Sequence, residues 1–343
     1  MTDTAPDSDA ELEERLSRPT AGLLDTLQRH SGDLVILGAG GKMGPTLARM
    51  ARRGLEAVGS GGRVVAVSRF RDPAVAAGLR ADGIDVIAAD LLDPVALAAL
   101  PDAESVIFMA GQKFGTLGAP AETWAMNAIV PSRVAERFAG HRTVVFSTGN
   151  VYPLTPAAGG GPTEATPPGP IGEYAMSCLA RERIFEDAAL RYGTPVALVR
   201  LNYAIDLRYG VLLDTARRVL AGQPVPLAMG FVNVIWQGDA NARSLQCLDL
   251  AATPADVLNL TGPDTISVRW LAERFGEFLG VTPIFRDTEA PDALLSNARR
   301  SVQLFGPLTV DLEQMLRWTV DWLRRGGREL GKPTHFEARD GRF

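Results

Sequence analysis

The chain has 343 residues, 46% of them hydrophobic, and a formal net charge of −5. That is enough for a large core in one or two domains, and the mildly acidic balance speaks against a nucleic-acid partner. Two distant cysteines, Cys178 and Cys247, and three histidines in no ligand pattern exclude a cysteine-built zinc centre, a disulfide framework and any recognisable metal site. No apolar run is long enough to cross a bilayer, and the acidic start, residues 1–10, lacks the basic and apolar parts of a signal peptide. A soluble, cytoplasmic protein without a membrane partner is expected.

Residues 1–32 read as an extension in which Leu23, Leu24 and Leu27 could share one face of a short helix. The run Leu34-Val-Ile-Leu37 then reads as a buried strand. It enters a turn with glycines at 38, 41 and 44, and residues 45–53 read as a helix. Five more strand-like runs follow at 64–68, 86–89, 106–110, 143–147 and 196–200. Helical patterns at 94–100, 124–138 and 174–192 separate most of them. Strands alternating with helices predict an α/β fold, a doubly wound parallel Rossmann sheet. A Pro- and Gly-rich loop spans 153–172, and loops of that length are often functional. Beyond Leu201 the pattern is irregular, with helical stretches at 212–221 and 268–279. It predicts a smaller C-terminal substrate lobe over the carboxyl edge of the sheet. The expected division is an extension (1–32), a dinucleotide-binding domain (33–205, with 232–262 returning to it), and a lobe and tail (206–231 and 263–343).

Candidate site residues gather at the strand ends. Strand, glycine turn and helix start form a phosphate cradle from Gly38, Gly41, Lys42, Met43 and Gly44. The spacing is Gly-x-x-Gly-x-x-Gly; Met43 interrupts the commoner Gly-x-Gly-x-x-Gly. At the second strand end a carboxylate would bond the ribose 2′-hydroxyl of NAD. Here stand Ser68, Arg69 and Arg71, whose guanidinium groups suit a 2′-phosphate, so NADP is the expected cofactor with NAD as the alternative. A competing reading makes them ordinary surface arginines of an arginine-rich chain. Asp90 could accept from an adenine amino group or belong to the start of the next helix. Ala110 and Gly111 are small enough for a ribose to lie against the backbone. Lys113 could reach the crevice or remain solvated. Thr148 puts a hydroxyl at the sheet edge and Tyr174 opens the next helix; together they could hold a carbonyl oxygen and deliver a proton.

These features, in this order, resemble the extended short-chain dehydrogenase/reductases, the NAD-dependent epimerase/dehydratase family. The resemblance covers roughly residues 33–280. It rests on Gly38-x-x-Gly41-x-x-Gly44, Asp90-Leu91, Asn127, Ser147-Thr148-Gly-Asn-Val-Tyr152, Tyr174 and Trp236-Gln-Gly-Asp239-Ala. It implies that Thr148 holds the substrate oxygen, Tyr174 acts as acid or base, and Asn127 is a structural helper. The family's Tyr-x-x-x-Lys reads Tyr174-Ala-Met-Ser-Cys178 here, so the lysine is missing. A free tyrosine has a pKa of ~10, so losing the ammonium handicaps alcohol oxidation, which needs phenolate, more than carbonyl reduction. Lysine occurs only at 42, 113 and 332. Lys113 is the first candidate for a substitute cation; Arg181 is weaker, since it faces away unless its side chain curls back. Gly149 and Asn150 stand where the family's dehydratases carry an acidic pair, which speaks against 4,6-dehydration.

The expected enzyme is an NAD(P)-dependent oxidoreductase or epimerase acting on a sugar, polyol or similar small molecule, with reduction favoured. Asn202, Arg208, Tyr209, Asn233, Trp236 and Gln237 are its candidate substrate contacts. The alternative is an inactive NADP(H)-binding sensor or partner subunit. A homodimer is expected through the helices of 127–138 and 174–192, where Ile129, Val134, Phe138, Leu179, Ile184 and Phe185 either form the interface or face the chain's own sheet.

Overall fold

Seven parallel strands form the central sheet: β1 (Leu34–Leu37), β2 (Val64–Ser68), β3 (Asp85–Ala88), β4 (Ser105–Phe108), β5 (Arg142–Thr148), β6 (Val196–Leu201) and β7 (Asp256–Leu260). Their spatial order is β3-β2-β1-β4-β5-β6-β7, so the chain reverses direction across the sheet between β1 and β4. The computed structural model describes residues 4–113, 118–332 and 334–341.

The helices are α1 (Asp9–Leu16), α2 (Ala21–Arg29), α3 (Gly44–Ala57), α4 (Pro73–Ala81), α5 (Pro94–Ala98), α6 (Pro120–Trp124), α7 (Val130–Arg137), α8 (Gly172–Tyr192), α9 (Val211–Leu220), α10 (Gln237–Gln246), α11 (Val268–Leu279), α12 (Arg299–Phe305) and α13 (Leu312–Arg324). Both faces of the sheet are covered, which is why β1 and β4 are buried along their whole length rather than on alternate residues. Leu34 and Ile36 pack with residues of α2, α3 and α10. Val35 and Leu37 pack with Val134 of α7 and Phe185 of α8. The doubly wound fold is as expected. One strand of this sheet was not foreseen: β7, whose Asp256-Val-Leu-Asn-Leu260 places polar residues among apolar ones. The 124–138 helix is in fact α6 and α7 joined by a π-turn at Ala125–Ile129.

Residues 4–32 are built into the body of the protein. Ser8 caps α1 by accepting from the Glu11 N–H, and Thr20 caps α2 by accepting from Leu23. Leu23 and Leu27 are fully buried against the sheet domain, each worth about 1.5–3 kcal/mol. Leu24 is only half-buried; Thr26 takes the third inward position and donates to Asp249 at 2.6 Å. Leu12 and Leu16 of α1 enter a different core, that of the C-terminal lobe. There Trp236 meets Trp318 edge-to-face at 5.5 Å. Glu13 bonds Arg49 of α3 and Arg208 of the lobe, both at 2.6 Å. The extension therefore ties the two halves of the molecule together.

Among the described residues no helix is long and apolar enough to cross a membrane. No group of three or more His, Cys, Asp and Glu could hold a metal there.

Candidate active site

Two cavities meet at the carboxyl edge of β1 and β4, where the strand order reverses and open α/β sheets bind their ligands. One, of ≈500 Å³, runs along Ser68, Arg69, Arg71, Asp90, Leu91 and Ala110. The other, of ≈390 Å³, reaches Lys42, Met43, Thr148, Tyr174 and Asn202. Gly38, Gly41, Gly111 and Lys113 line both.

The junction is shaped by glycine. Gly38 has φ +95°, and a Cβ there would lie 2.5 Å from the Ala110 nitrogen. A Cβ at Gly44 would strike the carbonyl of Ala39. Both positions demand glycine, and Gly41, with only Gly38 O at 3.4 Å, leaves its side of the turn open. Met43 precedes α3 without a side-chain cap, and Pro45 follows in the first turn. The first N–H groups of α3 thus lack a side-chain acceptor and face the positive end of the helix dipole toward the junction. Two joined cavities around a bare helix start fit a dinucleotide, with its diphosphate at the glycines.

In the larger cavity Arg69 and Arg71 are exposed and, unlike most arginines of the chain, join no ion pair or hydrogen bond with a described residue. Asp90 accepts from the Leu92 N–H at 3.0 Å, and the cap of α5 is Asp93. Asp90 keeps its place on the cavity wall, so the helix-cap alternative belongs to Asp93.

The smaller cavity holds the chemistry. Thr148 ends β5, with its hydroxyl 2.9 Å from Asn150 Oδ1. Tyr174 lies in the first turn of α8 and lines the cavity with Thr148, its phenol beside the Cys178 thiol. Burial pushes that phenol far above its ordinary value, the neighbouring thiol adds to the rise, and Arg181 and Thr148 oppose it. Burial likewise raises the Cys178 thiol. The pair is a neutral proton donor at ordinary pH. Lys113 stands with Nζ 5.9 Å from the centre of the Tyr174 ring. Burial lowers its pKa to about 8.

Asn127 is fully buried in the π-turn and saturates all its bonds. Its Oδ1 accepts from Gln112 N–H at 2.9 Å and from Arg181 at 2.7 Å; its Nδ2 donates to Gln112 O and to Ser177 Oγ, both at 3.0 Å. It pins the segment carrying Lys113 to the helix carrying Tyr174. Arg181 curls back: it also donates to Phe146 O at 2.8 Å, lines the cavity, and its Nη2 would lie 2.6 Å from a Cβ at Gly111. The expectation that it faces away is therefore corrected. The cause is that Phe146 O and Asn127 Oδ1 are the acceptors within its reach.

Of the expected substrate contacts, Asn202 and Tyr209 line the cavity, and Asn202 Nδ2 is buried without a partner among the described residues. Four others are corrected. Arg208 is held by Asp206 at 3.2 Å and Glu13 at 2.6 Å. Trp236 sits in the lobe core. Gln237 donates to Thr46 at 3.0 Å, and Asn233 bonds Asp264 O and Ser296 N–H. Trp236 packs in that core, while Arg208, Gln237 and Asn233 bond residues of other elements, Glu13, Thr46, Asp264 and Ser296. Lys42 spans the halves, donating to Ala204 O at 3.1 Å with its ammonium 4.6 Å from the Tyr209 ring centre. Tyr203 and Lys332 also line the cavity and were not singled out; the scarcity of lysine was the only signal for Lys332.

The model of the family described as NAD dependent epimerase/dehydratase matches residues 34–228, more than half of the chain. The chain belongs to that family. Its members are enzymes, and this site has the fold and cradle of one. No curated protein matches significantly. Solved structures share the fold. MoeE5 in complex with UDP-glucose and NAD is 21% identical with a TM-score of 0.68, over 86% of this chain and 99% of that one. The UDP-glucose 4-epimerase of Thermus thermophilus in complex with NAD is 20% identical with a TM-score of 0.68, over 85% and 99%. DesIV, a dTDP-glucose 4,6-dehydratase from Streptomyces venezuelae with NAD and TYD bound, is 18% identical with a TM-score of 0.72, over 85% and 97%.

Proposed function

We propose that this family member is an NAD(P)-dependent oxidoreductase or epimerase, active in the cytoplasm on a carbonyl or hydroxyl group of a sugar, polyol or similar small molecule, with reduction the favoured direction. The observation that carries this reading is that Thr148 and Tyr174 line one cavity together with Gly38 and Gly41 of the glycine turn. The bound nicotinamide supplies hydride exchange. Thr148 holds the substrate oxygen, Tyr174 gives up its proton to that oxygen, and Asn127 positions the strand-end segment. With the phenol held neutral by burial, donation needs no help, whereas abstraction needs a cation. Lys113 is the substitute for the missing motif lysine, and Arg181 adds a fixed charge from below. Asn202 offers an unmatched donor to a substrate hydroxyl or carbonyl.

The neighbours carry NAD in their names, but Arg69 and Arg71, which pair with no described residue, support a preference for NADP, since guanidinium–phosphate bonds are charge-assisted. Ile129, Met176 and Leu190, which are 48%, 47% and 71% exposed on and between α7 and α8, support a homodimer through that face. Val134, Phe138 and Phe185 are buried in the chain's own core and take no part.

The sensor reading draws on Cys178, a buried thiol beside Tyr174 where an ammonium would activate it. A turnover screen with NADPH over carbonyl compounds, starting from ketosugars and 4-keto sugar nucleotides, separates the two. Wild type turns over at least one class and Tyr174→Phe binds NADPH but does not. Intact binding with no turnover by wild type on any of them would favour the sensor.

A further inference from the structure

The C-terminal tail carries one lysine to the cleft and fixes it there. On one side Leu330 N–H donates to Arg208 O at 3.0 Å. On the other, Thr334 bonds Asp214 through its N–H at 3.0 Å and its hydroxyl at 2.6 Å, and Phe336 is buried in the lobe core. Farther on, Arg339 bonds Ala228 O, Asp292 O and the Asp292 carboxylate. Between the first two anchors lies Lys332. Its side chain forms no hydrogen bond or ion pair with any described residue, although Asp214, Glu329 and Glu337 line cavities that it also lines.

Its position is particular. Lys332 lines the cavity of Arg69 and Asp90, the cavity of Thr148 and Tyr174, and a third behind the start of α3 that includes Pro45 and Thr46. Besides Lys332, the three cavities share Gly41, so the place common to them is the glycine turn. It is close enough to Lys42 to lower that side chain's proton affinity. The chain meets its surface ion pairs with arginine and has lysine only at 42, 113 and 332. All three line the Tyr174 cavity, whose described wall contains no carboxylate. A lysine is a compact point charge on a flexible stem, suited to a phosphate that moves in and out.

We infer that Lys332 is the outer jaw of a diphosphate clamp: the bound dinucleotide's diphosphate is held between the backbone N–H groups of the glycine turn and the Lys332 ammonium, presented by the anchored tail. The inference rests on the dinucleotide-binding part of the proposed function and does not need catalysis. The tail then contributes to cofactor affinity through one side chain, without forming part of the sheet domain.

The test is calorimetric titration of the full chain, wild type and Lys332→Ala, with NADH, NADPH, ADP and adenosine. The expected result is about a three- to tenfold weaker affinity of the variant for NADH and ADP, the scale of one partly solvated charge-assisted bond, with adenosine unchanged. The difference shrinks as sodium chloride rises, and Lys332→Arg restores most of it. Equal affinities of wild type and Lys332→Ala for ADP would overturn the clamp while leaving the dinucleotide reading intact. So would an equal loss for adenosine, which marks a lost tail conformation instead of a lost charge. If wild type bound none of NADH, ADP and NADPH, both readings would fall together.

Discussion

The two ends of the cleft are built differently. At the glycine turn the work is done by backbone: Gly38, Gly41 and Gly44, within seven residues, place the N–H groups of α3 against an open space. At Tyr174 it is done by side chains drawn from β5, the π-turn, α8 and the segment after β4. The backbone end keeps the family pattern. The side-chain end has Cys178 four residues after Tyr174, and Lys113 and Arg181 stand nearby. A site made of backbone tolerates little change, because a Cβ has nowhere to go. A site made of side chains can move its charge from one element to another, because an ammonium or guanidinium acts through space.

The sharpest break of that contrast is Gly38→Ala. The left-handed backbone costs about 1–2 kcal/mol, and crowding against Ala110 a further ~1–3 kcal/mol. Dinucleotide affinity should fall about 30-fold or more, measured by calorimetry, with the melting temperature tracked beside it. An unchanged affinity would mean the dinucleotide does not lie at this turn.

At the other end, Lys113→Ala should slow alcohol oxidation about 10- to 100-fold, because an ammonium near a phenol lowers its pKa commonly by about 1–3 units. Carbonyl reduction should change far less. Cys178→Lys in that background should recover oxidation. Steady-state rates in both directions check this, and equal losses in both would reassign Lys113 to substrate binding.

Smaller effects refine the picture. Arg69→Ala should weaken NADPH about five- to tenfold, as an exposed charged bond is screened, and leave NADH unaffected; equal binding of the two by wild type would remove the NADP preference. The pH dependence has a definite sign. Burial lowers both Lys42 and Lys113 to about 8, so both carry charge at pH 7 and lose it as pH rises through that value. A bound anion favours the charged forms, so dinucleotide affinity should fall by a few-fold between pH 7 and 9. Binding near pH 8 should take up protons, which calorimetry in two buffers of different ionisation heat reads directly.

The fold was largely legible because its signals are local. β1 and the helix that follows need only an apolar run, glycines and a proline, and they stand where the pattern put them. β7 was missed because Asp256 and Asn259 break its apolar run: Asp256 pairs with Arg300, and Asn259 bonds Pro162 O and the Tyr152 hydroxyl. Those partners are far away in sequence. For the same reason Trp236 and Gln237 looked like substrate contacts and proved to be joints between elements. Nothing local distinguishes a polar residue aimed at a ligand from one aimed at a distant backbone.

The sequence by itself determined the glycine turn between β1 and α3, the placing of Thr148 at a strand end and Tyr174 at a helix start, and the absence of a lysine at 178, because each is a matter of residue type at fixed spacing within one local unit. Only the tertiary structure decided which charges stand near Tyr174, that Arg181 turns inward, that Arg208 is spent on Glu13 and Asp206, and that residues 4–32 and the tail belong to the body of the enzyme. Those outcomes depend on acceptors more than a hundred residues away or on the direction a long side chain takes. Chain spacing does not encode either.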